Sequence, residues 1–197
     1  SSDLQRGGAR SIMTSYNSVG GTPCSAHPWL NGRLLKQELG FTGFVISDAG
    51  AVGGLRDLHG TAVDYAGAAE AAVEAGLDVI FQTSFDHHLL FGPPFREGRV
   101  DPARLDDAVA RVLRGKIELG LFDDPYVRPE AFPAPGSTPH RELARRSARA
   151  SIVLLKNAGG VLPFSPALRS LAVLGPEATE ARCGGYSAPA ARSVSIL

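Results

Sequence analysis

Two cysteines, one methionine and one tryptophan are all that 197 residues hold of those three types. Cys24 and Cys183 stand far apart and match neither a zinc nor a redox spacing, so they decide neither compartment nor metal, and a disulfide between them stays open. Charge of one sign is lacking as well: 20 basic residues cancel 20 acidic ones, so nothing points to nucleic acid or a membrane surface as a partner. The nearest approach to a basic cluster is Arg141, Arg145, Arg146 and Arg149, whose i, i+4, i+8 spacing marks the wet face of a helix. No apolar run nears the ~20 residues of a membrane span. The sequence also contains no G-x-x-x-x-G-K-[ST], no G-x-G-x-x-G and no H-E-x-x-H, which leaves phosphate, dinucleotide and zincin chemistry without support.

What is present is an ordinary globular composition, 44% apolar and 20% charged, enough to bury one large or two small domains. RSIMTSY (residues 10–16) reads as a strand, with Gly20, Gly21 and Pro23 in the loop after it. PWLNGRLLKQELG then has Pro28 suited to a first helical turn, Leu30, Leu34, Leu35 and Leu39 at helical spacing, and Gly40 as a stop. The run Phe44, Val45, Ile46 does not alternate, so it reads as a strand buried on both faces. Strand, helix, strand in this order is the crossover of a parallel sheet. The pattern repeats with an alanine-rich helix over 64–76 and a strand over 77–82. FGPPF predicts a short or broken helix. A helix capped by Asp101 with Pro102 in its first turn follows, its apolar face supplied by Leu105, Val109, Val112, Leu113 and Ile117. Five prolines between 123 and 139 then read as a linker, beyond which lie a helix (HRELARRSARA) and two strands (SIVLLKN, SLAVLG).

In parallel α/β architectures, sites form at the carboxyl edge of the strands, and Asp48 stands at that edge behind Phe44, Val45, Ile46 and Ser47. Two readings stand from pattern alone: Ser47-Asp48 caps the next loop, or the carboxylate serves a ligand, for which Ala49, Gly50, Ala51, Gly53 and Gly54 leave room. Tyr16 and Asn17 occupy the corresponding end of the preceding strand. Met13, on that same strand, is by type a core residue. Trp29 reads as packing inside its helix. His59, His87 and His88 are weaker still, since the adjacent pair lacks the i, i+4 spacing of two ligands on one helix face.

SIMTSYNSVGGTPCSAHPWLNGRLLKQELGFTGFVISDAGAV resembles the signature of glycoside hydrolase family 3, the β-glucosidases and β-xylosidases. The likeness continues in order through AAVEAGLDVIF, LDDAVARVLRGKIELGLFDDPYV, LARRSARASIVLLKNAGGVLPF and LAVLGPEA. The resemblance implies an α/β fold in which residues 1–122 are the C-terminal part of a (β/α)₈ TIM-type barrel, 123–139 a linker and 140–197 the start of an α/β sandwich domain, with the active site at the junction of the two domains. It implies a retaining exo-β-glycosidase acting on an oligosaccharide or aryl glycoside, with Asp48 as nucleophile, Tyr16 and Met13 as substrate contacts, and neither cofactor nor metal. The acid/base would lie beyond Leu197, which makes Glu177 and Glu180 poor candidates. The family's Arg and Lys-His sugar contacts would lie upstream of Ser1. Where many members carry Trp after the nucleophile, this chain has Ala49. SSDLQRGGARSIMTSYN reads like the middle of a protein and ARSVSIL stops on what could open a strand, so a fragment is expected; a periplasmic or secreted location is compatible with it. The alternatives are a catalytically silent remnant of the same fold, or an unrelated barrel lyase, for which Lys156 is the one candidate.

Overall fold

The computed structural model describes Leu4 and residues 6–83, 86–187 and 194–196. Its contacts divide the chain into two units, Ser1–Tyr126 and Val127–Leu197.

In the first unit β1 (Ser11–Met13) pairs in parallel with β4 (Phe44–Ile46), in the register Ser11 to Phe44, Ile12 to Val45 and Met13 to Ile46. The far side of β4 takes residues 77–81, also parallel, through the bridge between Ile46 and Val79. Only this bridge forms where a strand over 77–82 was expected. A short antiparallel hairpin, β2 (Ser18–Val19) and β3 (Thr22–Pro23), stands where a plain loop was expected after β1. β1 itself is shorter than the predicted 10–16: its last ladder bond is Thr14 N–H to Ile46 O (2.9 Å), and the Thr14 hydroxyl pairs with that of buried Ser25 (2.8 Å).

The crossovers are helical. α1 (Trp29–Glu38) joins β1 to β4 and is wound as a π-helix, its last turn closed by Leu39 N–H reaching back five residues to Leu34 O (2.9 Å). α2 (Gly54–Asp57) and α3 (Tyr65–Glu74) lead from β4 to residues 77–81. Asp64 caps α3 by accepting from Gly67 N (2.7 Å). Ala68, Ala69 and Ala72 are wholly buried: small side chains let this helix approach Val45, Leu55 and Leu77 closely, and Leu35, Phe41, Val52 and Phe91 complete the core. FGPPF is broken as expected, into α4 (His87–Phe91) and α5 (Pro93–Arg96).

α6 (Pro102–Glu118) begins on the Asp101 cap, whose side chain accepts from Ala103 N (3.0 Å). Its docking differs from the expectation. Leu105, Val109, Leu113 and Ile117 are exposed, and the buried positions are Ala108 and Gly115. Gly115 lies against the Phe44 ring, and Arg111 Nη1 donates to Phe41 O and Gly43 O (3.0 Å each). The helix thus turns its small residues and arginines to the sheet. Gly43 is required there, because a Cβ would collide with the Arg10 carbonyl.

In the second unit α7 (Thr138–Ser151) carries the four arginines on an exposed face, as predicted. The two strands predicted from SIVLLKN and SLAVLG form no ladder among the described residues, and Ile152, Val153, Leu154, Leu155, Leu171 and Leu174 are exposed.

Candidate active site

β4 runs into a turn at its carboxyl end. Ser47 is fully buried, its N–H donates to Val79 O (3.0 Å), and its Oγ accepts from Phe81 N (2.9 Å). Asp48 follows, half-buried. Its Oδ1 accepts from Ala49 N (2.7 Å) and its carbonyl from Ala51 N (3.1 Å). Gly50 bends the chain with φ +74°, the left-handed region that glycine enters without strain, and its N–H returns to Phe81 O (3.0 Å). A Cβ at Gly50 would meet nothing within 4 Å, so the backbone conformation, not space, calls for glycine.

Tyr16 reaches the same turn. Its Oη donates to Ala49 O (2.7 Å), one residue from Asp48, while its own carbonyl is held by His59 Nε2 (2.8 Å), which must therefore carry the proton. The phenol thus hydrogen-bonds the backbone beside Asp48. Met13 ends β1 opposite Ile46 and is 60% exposed. It is not the core residue its type suggested, because at this edge the strand has no layer above it among the described residues. Asn17 contributes its carbonyl, which accepts from Cys24 N (3.0 Å).

Other candidates lie apart. Trp29 is 46% exposed at the start of α1, edge-on to His27 at 6.3 Å between centroids, so it is not the buried packing residue expected. His87 Nδ1 meets Gln82 Oε1 (3.3 Å), and no group of three or more His, Cys, Asp or Glu is placed to hold a metal ion among the described residues. Both thiols are free, Cys24 buried in the first unit and Cys183 exposed in the second. Among the described residues no helix is long and apolar enough to cross a membrane. Glu177 and Glu180 both meet Arg182 (3.3 and 3.6 Å) in the second unit, where Lys156 is exposed.

The opposite, amino-terminal side of the sheet carries the densest charge. The Asp78 side chain, fully buried, accepts from Lys36 Nζ (2.6 Å), Arg104 Nη2 (2.5 Å) and Val45 N (2.8 Å). Asp107 stands beside them, 3.1 Å from Arg104, 3.7 Å from Lys36 and 2.9 Å from Arg111. Burial pushes the Lys36 ammonium below its ordinary value, outweighing Asp78, with Arg104 and Arg111 adding to the drop. Burial raises the Asp107 carboxyl, yet the hydrogen bond and charge of Arg111 with the charges of Lys36 and Arg104 bring it below its ordinary value. A cleft of about 370 Å³ at this edge, lined by Arg10, Phe41, Gly43, Arg111 and Glu118, holds neither Asp48 nor Tyr16. This side fastens the strands; the carboxyl edge presents a carboxylate among small residues.

Of the residues that build that edge, Asp48, Tyr16 and Met13 were legible as candidates and His59 as a weaker one, whereas the bond His59 makes and the hydroxyl of Ser47 were not. Ser47 was visible only as the neighbour of Asp48, and no spacing marks a histidine that binds a backbone carbonyl 43 residues away.

Residues 2–115 match the family model described as the glycosyl hydrolase family 3 N terminal domain. The periplasmic beta-glucosidase of Salmonella typhimurium is 38% identical over 200 residues, covering 96% of this chain and 26% of that protein. A beta-xylosidase of Formosa agariphila is 32% identical over 213 residues, covering 98% of this chain and 29% of its own. Among solved structures, the β-glucosidase EmGH1 of Erythrobacter marinus superposes with a TM-score of 0.85 at 35% identity, over 98% of this chain and 26% of that one. The chain therefore spans about a quarter of the length of the curated relatives it matches.

Proposed function

Because the chain belongs to glycosyl hydrolase family 3, we propose that it is the nucleophile-bearing part of a retaining exo-β-glycosidase that releases terminal β-linked glucose or xylose from an oligosaccharide or aryl glycoside. The observation that carries this reading is Asp48 beyond the carboxyl tip of β4, the strand flanked on both sides in the sheet, with the Tyr16 phenol bonded to the next residue's carbonyl. Relatives bearing both beta-glucosidase and beta-xylosidase names support the substrate class.

The chemistry is as follows. The Asp48 oxygen not held by Ala49 N–H attacks the anomeric carbon, a carboxylate ester forms, and the glycosidic C–O bond breaks. The departing oxygen takes a proton from an acid that this reading assigns to no residue of the chain. Water then adds to the anomeric carbon, gives its proton to the conjugate base of that acid, and frees Asp48. A site of this kind needs about 5–5.5 Å between the two carboxyl groups. Tyr16 and Met13, at the end of the adjacent strand, contact the sugar in the subsite that Asp48 serves, and no cofactor takes part.

In the same reading residues 1–122 are the C-terminal part of a (β/α)₈ barrel, 123–139 a linker and 140–197 the start of an α/β sandwich domain. Parallel neighbours in chain order with helical crossovers support the barrel. The solvent-facing strip of Leu105, Val109, Leu113 and Ile117 supports a larger whole. The test is mass spectrometry of the whole protein after incubation with a 2-deoxy-2-fluoro glycoside, which slows ester breakdown. The label is expected on Asp48. Asp48→Ala should lower kcat by several orders of magnitude, and azide should partly restore turnover with the inverted glycosyl product. Label on another carboxylate refutes the reading.

A further inference from the structure

Past the bridge between Ile46 and Val79, toward the carboxyl end of β4, the hydrogen bonds depart from a parallel ladder at one definite point. Val79 N–H meets Val45 O (3.0 Å) and Ser47 N–H meets Val79 O (3.0 Å). Continued regularly, the ladder would next join Phe81 N–H to Ser47 O and Ala49 N–H to Phe81 O. Instead Phe81 N–H takes the Ser47 side-chain oxygen (2.9 Å), Ala49 N–H takes Asp48 Oδ1 (2.7 Å), and Phe81 O receives Gly50 N–H (3.0 Å). The exchange has moved on by one residue, as at a β-bulge, and the residue thrown out of the ladder is next to Asp48.

We infer that Ser47 is a positioning residue for Asp48: its hydroxyl accepts the bond that its own carbonyl would take in a regular ladder, and this substitution turns Asp48 out of the sheet onto the grip of Ala49 N–H. The inference rests on Asp48 being the nucleophile. Ser47 is wholly buried, so no solvent replaces its oxygen, and it acts on the reaction only through its neighbour. Without that oxygen a regular parallel ladder offers Phe81 N–H the Ser47 carbonyl. Taking it restores the regular ladder and draws Asp48 back toward the strand.

The experiment compares Ser47→Ala, Ser47→Thr and Ser47→Val in the whole protein, reading the rate of covalent labelling by a 2-deoxy-2-fluoro glycoside, its attachment site, and inhibition by the product sugar. Ala adds no volume, and its labelling should slow by about 10- to 100-fold, the range that a misplacement near 1 Å commands, with product affinity within about threefold. Thr and Val share one shape and differ by the oxygen, so any packing cost falls on both. Thr should label at least about tenfold faster than Val. Val equal to Thr, or Ala equal to the unsubstituted protein with its label on Asp48, overturns the role of Ser47 alone. Label elsewhere in the unsubstituted protein overturns the assignment of Asp48 and this inference with it.

Discussion

Replacing Asp78 by alanine should loosen β4 by far more than replacing the lysine it binds. The Asp78 carboxylate is fully buried and receives Lys36, Arg104 and the Val45 N–H. Alanine leaves two cations, their side chains 9% and 13% exposed, facing each other across a site whose remaining anion is the half-exposed Asp107. Removing one partner of a buried ion pair costs about 3–5 kcal/mol, and a stranded buried N–H costs about 1–3 kcal/mol. The two overlap where water enters the vacated volume, so the sum is taken as about 4 kcal/mol. At about 1.36 kcal/mol per decade, β4 amides that exchange through local opening should exchange roughly 10³-fold faster.

Hydrogen exchange followed by mass spectrometry on peptides covering 43–47 of the whole protein reads this directly. Lys36→Met is the control. It removes one of two cations, keeps the stem volume, and leaves Asp78 with Arg104 and the Val45 N–H, so exchange should rise by less than about tenfold, the equivalent of ~1 kcal/mol. Acceleration below tenfold in Asp78→Ala, or an equal effect in Lys36→Met, would refute the reasoning, since either would mean that the buried carboxylate is not what holds the strand.

Tyr16→Phe removes the 2.7 Å bond to Ala49 O at a half-exposed position, so thermal unfolding should shift little, by the equivalent of about 1 kcal/mol, while kcat falls by about tenfold; an unchanged kcat would show that the phenol does not hold the Asp48 turn in its working geometry. The lowered Asp107 carboxyl contributes stability that is complete above its ordinary 3.8 and lost as pH falls through its folded value. Asp107→Asn should therefore flatten the acid limb of an unfolding profile below about pH 4. Lys36 has the opposite consequence: between its lowered folded value and its ordinary 10.5 the unfolded chain binds more protons, so stability rises with pH there. Lys36→Met should abolish that alkaline rise.

What the sequence disclosed and what it withheld divide along a physical line. Elements written by local chemistry were legible: the Asp64 and Asp101 caps, the break at FGPPF, the alanine helix, and a three-residue strand, buried at Val45 and half-buried at Phe44 and Ile46, with a carboxylate beyond its tip. Elements decided by what lies alongside were not. The leucine face of α6 was read as its buried side because a 3.6-residue period reports an apolar stripe without saying what covers it, whereas Gly115 on Phe44 and Arg111 on two carbonyls set the docking. SIVLLKN has the residues of a strand, but a strand is a relation between two backbones, and it forms no ladder among the described residues. The candidate site shows both cases within two positions. Asp48 announces itself, since a charge at the tip of an apolar run needs a reason, whereas a serine at a strand end is common and its meaning here depends on Phe81, 34 residues later. The polar groups that orient a reacting side chain are thus harder to read from a sequence than the side chain itself, because their identity lies in the hydrogen bond they displace.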